Sequence, residues 1–238
     1  METSRRKQIL ILLGGILIAL LFYPVVTDCL YYHRQSTLTT RSLTYLIIVL
    51  EVTTLFLYSL KVENQNLLMW KEKQYGPLFY VLAVLALFAL QLPGNLLSKI
   101  PKLMGWHEWR DKPFTMHYLR YLYSWYQLNL VIIIACAVAW SVSVELIFRG
   151  YLLPHLAILF KNNVAAIIIS SLLFALFPFF GFSYHWLIID FFSSVFFSIF
   201  YLKYRNIKVL ILVRVLLGLM ALYGLRATSF WILGLPKH

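Results

Sequence analysis

Cysteine is scarce in this 238-residue chain: Cys29 lies near the end of the first apolar stretch and Cys136 inside a later one. A disulfide framework is therefore not expected, and the redox compartment cannot be read from the thiols. Charge is equally sparse, with 13% of residues charged against 61% hydrophobic and a mean hydropathy of +0.78. Those values exclude an ordinary soluble domain and fit a multi-pass membrane protein. Motifs that would announce common chemistry are missing too. There is no HExxH or CxxC spacing to hold a metal and no GxSxG elbow to present a nucleophilic serine, so no metal and no cofactor are expected. The formal net charge of +12 comes from short clusters of Lys and Arg between apolar runs. Such clusters act as topological signals and do not point to nucleic acid.

What is present is a series of long apolar runs. About 20 such residues cross a hydrocarbon core of about 30 Å, and in lipid they must be helical so that backbone polar groups find internal partners. The pattern predicts an all-α bundle of about seven transmembrane helices, at Ile9–Val26, Ser42–Leu60, Pro77–Leu97, Leu128–Phe148, Val164–Phe180, Tyr184–Leu202 and Val209–Leu225. The fourth can continue through "YLLPHLAILF", with Pro154 either kinking or ending it. "METSRRKQ" ahead of the first run resembles a signal peptide, but no small-residue cleavage site follows, so a retained span is expected. Arg5, Arg6 and Lys7 place the N-terminus in the cytoplasm, on the side of "KVENQNLLMWKEK" and "KYRNIK". The stretch from Ser98 to Gln127 is basic and rich in Trp, Tyr and His, as expected of an interfacial amphipathic segment that touches lipid headgroups. Residues 1–127 then hold the first helices and this segment, residues 128–238 hold a transmembrane core, and the two form one integrated membrane domain.

Five ionisable residues fall inside the apolar runs: Glu51, Glu145, Arg149, Asp190 and Arg214. Each costs about 2.5–3.5 kcal/mol at a helix centre unless compensated, so each is a candidate functional or pairing residue. Glu145 and Arg149, in "SVELIFRG", are four apart and share a helix face. Arg214 lies too far from either end of its run to reach the interface, which calls for a buried acidic partner, Glu145 or Asp190. Glu145, Arg149, Asp190 and Arg214 are thus candidates for a salt-bridge cluster joining the fourth, sixth and seventh spans.

"VELIFRGYLLPHL" resembles the first motif of the CPBP intramembrane protease family, also called the Abi or type II CAAX prenyl endopeptidase family: two adjacent glutamates, three residues, then Arg-Gly. "SSLLFALFPFF" is similar to its second motif, Phe followed four residues later by His, and "YLKYRNIKVLILVRVLLGL" to its third, His followed four residues later by Asn. The resemblance runs from about Leu128 to Leu225. It implies a CPBP-like helical core and an endopeptidase in which the glutamate activates water while the histidines and asparagine position it. Matched position by position, Glu145, Arg149 and Phe174 are kept. The first glutamate is Val144, the two histidines are Pro178 and Arg214, and the asparagine is Gly218.

The resemblance therefore implies a degenerate, catalytically inactive member. The expected role is to bind, regulate or stabilise an integral membrane protein or hydrophobic peptide in a bacterial plasma membrane, as in bacteriocin immunity or cell-envelope control. Two alternatives stay open. One is an active CAAX-type endopeptidase using Glu145 and Arg149, with His155 or His185 as substitute. The other is a transporter component, to which no inverted repeat lends support.

Overall fold

The computed structural model describes residues 10–21, 38–68, 70–104, 130–176 and 184–233. The N-terminal "METSRRK", most of the basic interfacial stretch and Pro178 lie outside the described residues. Among the described residues every regular element is a helix. Helix α1 covers Leu10–Leu21. Helix α2, Leu38–Tyr58, runs on into a wider π-helical turn, Ser59–Glu63. Next come α3, Pro77–Ala89, α4, Gln91–Leu97, and the single turn α5, Ile100–Leu103. Helix α6, Leu130–Glu145, passes through a π-helical segment, Leu146–Leu152, into α7, Leu153–Phe160. The set closes with α8, Asn163–Leu176, α9, Tyr184–Tyr204, and α10, Ile207–Leu233.

Three described stretches are long and apolar enough to cross a bilayer: Pro77–Leu97, Ile134–Phe160 and Leu187–Tyr204. Helices α1 and α8 are shorter apolar helices, and α2 and α10, with 21 and 27 residues, have the length of a span. The arrangement is a helical membrane bundle whose helices follow the seven apolar runs of the sequence.

Local chemistry explains where helices stop. Lys161 takes a left-handed conformation (φ 51°) that ends α7, and the Asn162 side-chain oxygen then accepts the N–H groups of Val164 and Ala165 to start α8. The turn between α9 and α10 repeats the device, with Arg205 at φ 48° and the Asn206 Oδ1 accepting the Val209 N–H. A turn at Leu90 divides the third apolar run, and Pro93 sits in the first turn of the restarted helix, where its missing N–H is tolerated. Pro154, by contrast, does not end its helix. The preceding π-helical segment widens the spacing so that the Leu153 N–H reaches back five residues to the Phe148 carbonyl, and the proline sits inside one continuous span.

Packing interleaves the two halves of the chain. Helix α9 lies between α8 and α4, α10 packs on α6 and α3, and α2 packs on α6 and the π-helical segment. One core runs through both halves, from Ile47, Ile48 and Leu55 to Ile147, Phe148, Leu210 and Val213. The start of α1 meets the end of α2 through the Tyr58 hydroxyl, which donates to the Ile11 carbonyl at 2.6 Å. The loop before α3 is tied to the α9–α10 turn, since the Lys73 N–H donates to the Arg205 carbonyl at 3.0 Å. The ends that the sequence places on one side of the membrane are thereby gathered at one end of the bundle.

Helices α4 and α9 pack closely at Gly94, where a Cβ would stand 3.4 Å from Phe192 Cβ and 3.6 Å from the Ile189 backbone. At Gly218, between α10 and α6, the nearest contact of a Cβ would be Ala137 Cβ at 4.0 Å. Gly94→Leu is expected to lower thermal stability in detergent by about 1–3 kcal/mol through overpacking, while Gly218→Ala stays within about 0.5 kcal/mol of wild type. Equal melting temperatures for wild type and Gly94→Leu would contradict this crossing.

Candidate functional site

The site is centred on Glu145, the last residue of α6, and Arg149, inside the π-helical segment; both side chains are fully buried. The Glu145 Oε2 lies 3.4 Å from Arg149 Nε. From α10, Arg214 Nε donates to Glu145 Oε1 at 3.1 Å, with only 12% of the Arg214 side chain exposed. Each carboxylate oxygen therefore faces a guanidinium, one from its own helix and one from across the bundle. At 1.5 Å per residue, Arg214 is about 10 Å along the axis from the first residue of α10, well inside the apolar layer.

The second guanidinium has partners on a third helix. Arg149 Nη2 donates to the Ser194 hydroxyl at 2.8 Å and to the Ser194 carbonyl at 3.2 Å, which fixes α9 against the π-helical segment. Two aromatic rings then complete the cationic surroundings. Arg149 lies 4.8 Å from the centroid of Phe174 and 5.7 Å from that of Phe197; Arg214 lies 4.5 Å and 4.9 Å from the same two rings. Both guanidiniums thus share one pair of ring faces, a geometry that offsets part of their desolvation. Phe174 is itself held edge-on by Phe148 at 5.2 Å.

Of the residues singled out in the sequence, Glu145, Arg149 and Arg214 come into direct contact. Asp190 lies one turn before Ser194 on α9, within electrostatic range of both arginines, but it forms an ion pair with neither. Glu51 is buried in α2, and Val144 is a fully buried apolar residue beside Glu145. Gly218 lies one turn beyond Arg214 on α10. Pro178 and the side chain of His185 are outside the described residues. Ser194 and Phe197 were not foreseen, because a serine or phenylalanine in an apolar run carries no signal of its own.

A second polar cluster was missed for a similar reason. Glu63, at the end of the π-helical turn after α2, reads in sequence as part of a loop, yet its carboxylate turns inward. Tyr151 donates its hydroxyl to Glu63 Oε1 at 2.7 Å, Ser59 donates to Oε2 at 3.2 Å, and His155 Nε2 lies 3.3 Å from Oε2. His155 Nδ1 is 2.7 Å from the Tyr151 carbonyl, which can only accept, so Nδ1 carries a proton. The i,i+4 spacing of Tyr151 and His155 was the available clue; their partner was not visible. Gly15 of α1 sits directly against this cluster, where a Cβ would collide with the Tyr151 hydroxyl.

A bundle of apolar helices with a carboxylate and two guanidiniums sealed at its centre defines an integral membrane protein with an intramembrane charged site. Residues 121–220 are similar to the family model described as Type II CAAX prenyl endopeptidase Rce1-like, a match that supports the CPBP resemblance. The matched stretch contains Glu145, Arg149, Phe174, Asp190, Arg214 and Gly218, so the likeness covers the charged site itself. Comparison with curated proteins and with solved structures gives no significant match.

Burial alone would raise the Glu63 carboxyl, but hydrogen bonds from His155 and Tyr151, the attraction of His155 and the Ser59 hydroxyl outweigh it and hold the group below its ordinary 4.5. A depressed carboxyl stabilises the fold above its unfolded value and loses that contribution as pH falls through the folded value. Thermal stability measured in detergent is therefore expected to decline as pH drops below about 4.5, and Glu63→Gln should be less stable at pH 7 with a shallower acid decline. An unchanged acid profile in Glu63→Gln would show that another group sets it.

Proposed function

We propose that this protein is a catalytically inactive CPBP scaffold, one integrated membrane domain that binds and regulates or stabilises an integral membrane protein or hydrophobic peptide. The setting that fits is a bacterial plasma membrane with the N-terminus in the cytoplasm, and the roles that fit are immunity to a bacteriocin or control of a cell-envelope protein. The observation that carries the reading is the bond from Arg214 Nε to Glu145 Oε1, at the position where the resembled motif has a histidine.

A general base must bring a free carboxylate oxygen within about 3 Å of the water it activates. In this protein one Glu145 oxygen accepts from Arg214 and the other faces Arg149, with no exposed surface on the residue. Charge stabilisation of a tetrahedral intermediate is usually the larger part of acyl-transfer catalysis, and it needs donors aimed at the substrate oxygen. Arg149 Nη2 makes both contacts to Ser194 and Arg214 Nε donates to Glu145 itself, while Arg149 Nη1 and Arg214 Nη2 are buried without an acceptor, sealed from the surface a substrate would approach. Such a site holds α6, α9 and α10 in one arrangement. A scaffold of this kind can bind a partner helix through close packing and interhelical hydrogen bonds without cutting it.

The test is purification under an affinity tag from a native host, in gentle detergent, of wild type and Glu145→Gln, each checked for a monodisperse elution profile. The expected result is one integral membrane protein or hydrophobic peptide at near-equal amounts in both preparations. Cleaved peptides that appear with wild type and vanish with a well-folded Glu145→Gln would instead establish an endopeptidase that uses Glu145.

A further inference from the structure

Between α3 and α9 runs an open groove of about 410 Å³, lined by Phe79, Leu82, Ala86, Phe196 and Ile199 and reaching Lys203 and Tyr204 at one end. Both walls belong to stretches able to cross the bilayer, so the floor of the groove lies at hydrocarbon depth. Leu82, Leu90 and Ile199 expose much of their surface there. Water has no partners to offer such a lining, and its natural occupant is an apolar chain.

The end of the groove carries the second feature. Lys203 lines the groove itself, with its ammonium 5.3 Å from the Tyr204 ring centroid, and Arg205 follows in the α9–α10 turn, its guanidinium 5.5 Å from the Trp70 ring centroid. The loop before α3 is pinned to this turn: the Lys73 N–H bonds the Arg205 carbonyl, Asn206 Nδ2 donates to the Lys73 carbonyl at 3.0 Å, and the Tyr75 hydroxyl donates to the Tyr204 carbonyl at 3.0 Å. Lys71, Lys73 and Lys208 are exposed around the same turn. The carboxylate in this loop, Glu72, is turned inward, accepting the Ile207 N–H at 2.8 Å. Lys203 and Tyr204 thus stand at the end of an apolar slot, and the adjoining turn and loop add Arg205, Lys71, Lys73 and Lys208, a basic and aromatic end of the kind that meets the phosphates of a bilayer.

We propose that this groove seats one acyl chain of an anionic glycerophospholipid, with its phosphate at Lys203 and Arg205. A transmembrane partner would have to bring its own acidic group to this mouth, whereas an anionic lipid supplies apolar chain and phosphate in one molecule. The interaction has two separable parts, a shape-dependent chain in the groove and a salt-sensitive headgroup contact at its end.

The full chain, delipidated in detergent, would be offered phosphatidylglycerol or phosphatidylcholine of the same acyl chains, with lipid retention read by native mass spectrometry. Wild type is expected to keep one phosphatidylglycerol per chain in preference to phosphatidylcholine. Ala86→Trp, at an exposed position that fills the groove, should abolish retention while leaving the melting profile intact. Lys203→Gln combined with Arg205→Gln should weaken phosphatidylglycerol binding about tenfold or more and erase the preference. Equal retention of both lipids would overturn the headgroup assignment. Phosphatidylglycerol retention unchanged by Ala86→Trp would overturn the groove, leaving only general attraction to a basic surface. No retained lipid, with a dimer that Ala86→Trp splits, would assign the face to a second copy of the chain.

Discussion

A carboxylate cannot be left alone in the middle of a bilayer, and in this protein Glu145 is not alone on either oxygen. Arg149 reaches it from the same helix and Arg214 from α10, and the two guanidiniums share the faces of Phe174 on α8 and Phe197 on α9. Four helical elements thus meet on one charged group. Removing one partner of a buried ion pair typically costs about 3–5 kcal/mol, because the remaining charge keeps its desolvation penalty without its compensation. That penalty opposes any shift of these helices that would part Glu145 from its guanidiniums.

The backbone is adjusted to serve the same arrangement. The π-helical segment from Leu146 to Leu152 places Arg149 against Glu145 on one side and Ser194 on the other, and it lets the helix continue through Pro154. Single wide turns of this kind are often found at functional sites, where they aim a side chain that a regular helix would send elsewhere. Continuing the helix has a second effect. It carries His155 and Tyr151 to the end of the bundle, where they meet Glu63 and bring α2, α7 and the start of α1 together.

How much of this was legible in the sequence depended on whether a residue violates its surroundings. The helical passes were visible because apolar runs of span length have few other uses, and the charged set was visible because Glu145, Arg149 and Arg214 violate those runs. The family resemblance rested on the same residues, with Phe174 added. Ser194 and Phe197 violate nothing and were silent. Glu63 was hidden for the opposite reason: among charged loop residues a carboxylate is ordinary, and only the packing of α1 and α7 against it reveals that it faces inward. Asp190 stood out as much as its neighbours, yet it contributes to the field around the arginines without touching either. Sequence spacing fixes which residues share a face, but not which of two acidic side chains on different helices an arginine will choose.

The central claim is that Arg214 and Glu145 are one structural unit. A double-mutant cycle with Glu145→Gln, Arg214→Gln and the combined variant, read as thermal stability in detergent, tests it most directly. The account predicts that each single change costs about 3 kcal/mol or more, and that the combined variant is more stable than their sum by at least about 1 kcal/mol. Strictly additive losses would mean that the two residues do not act on each other, and Glu145 would then be free for other chemistry.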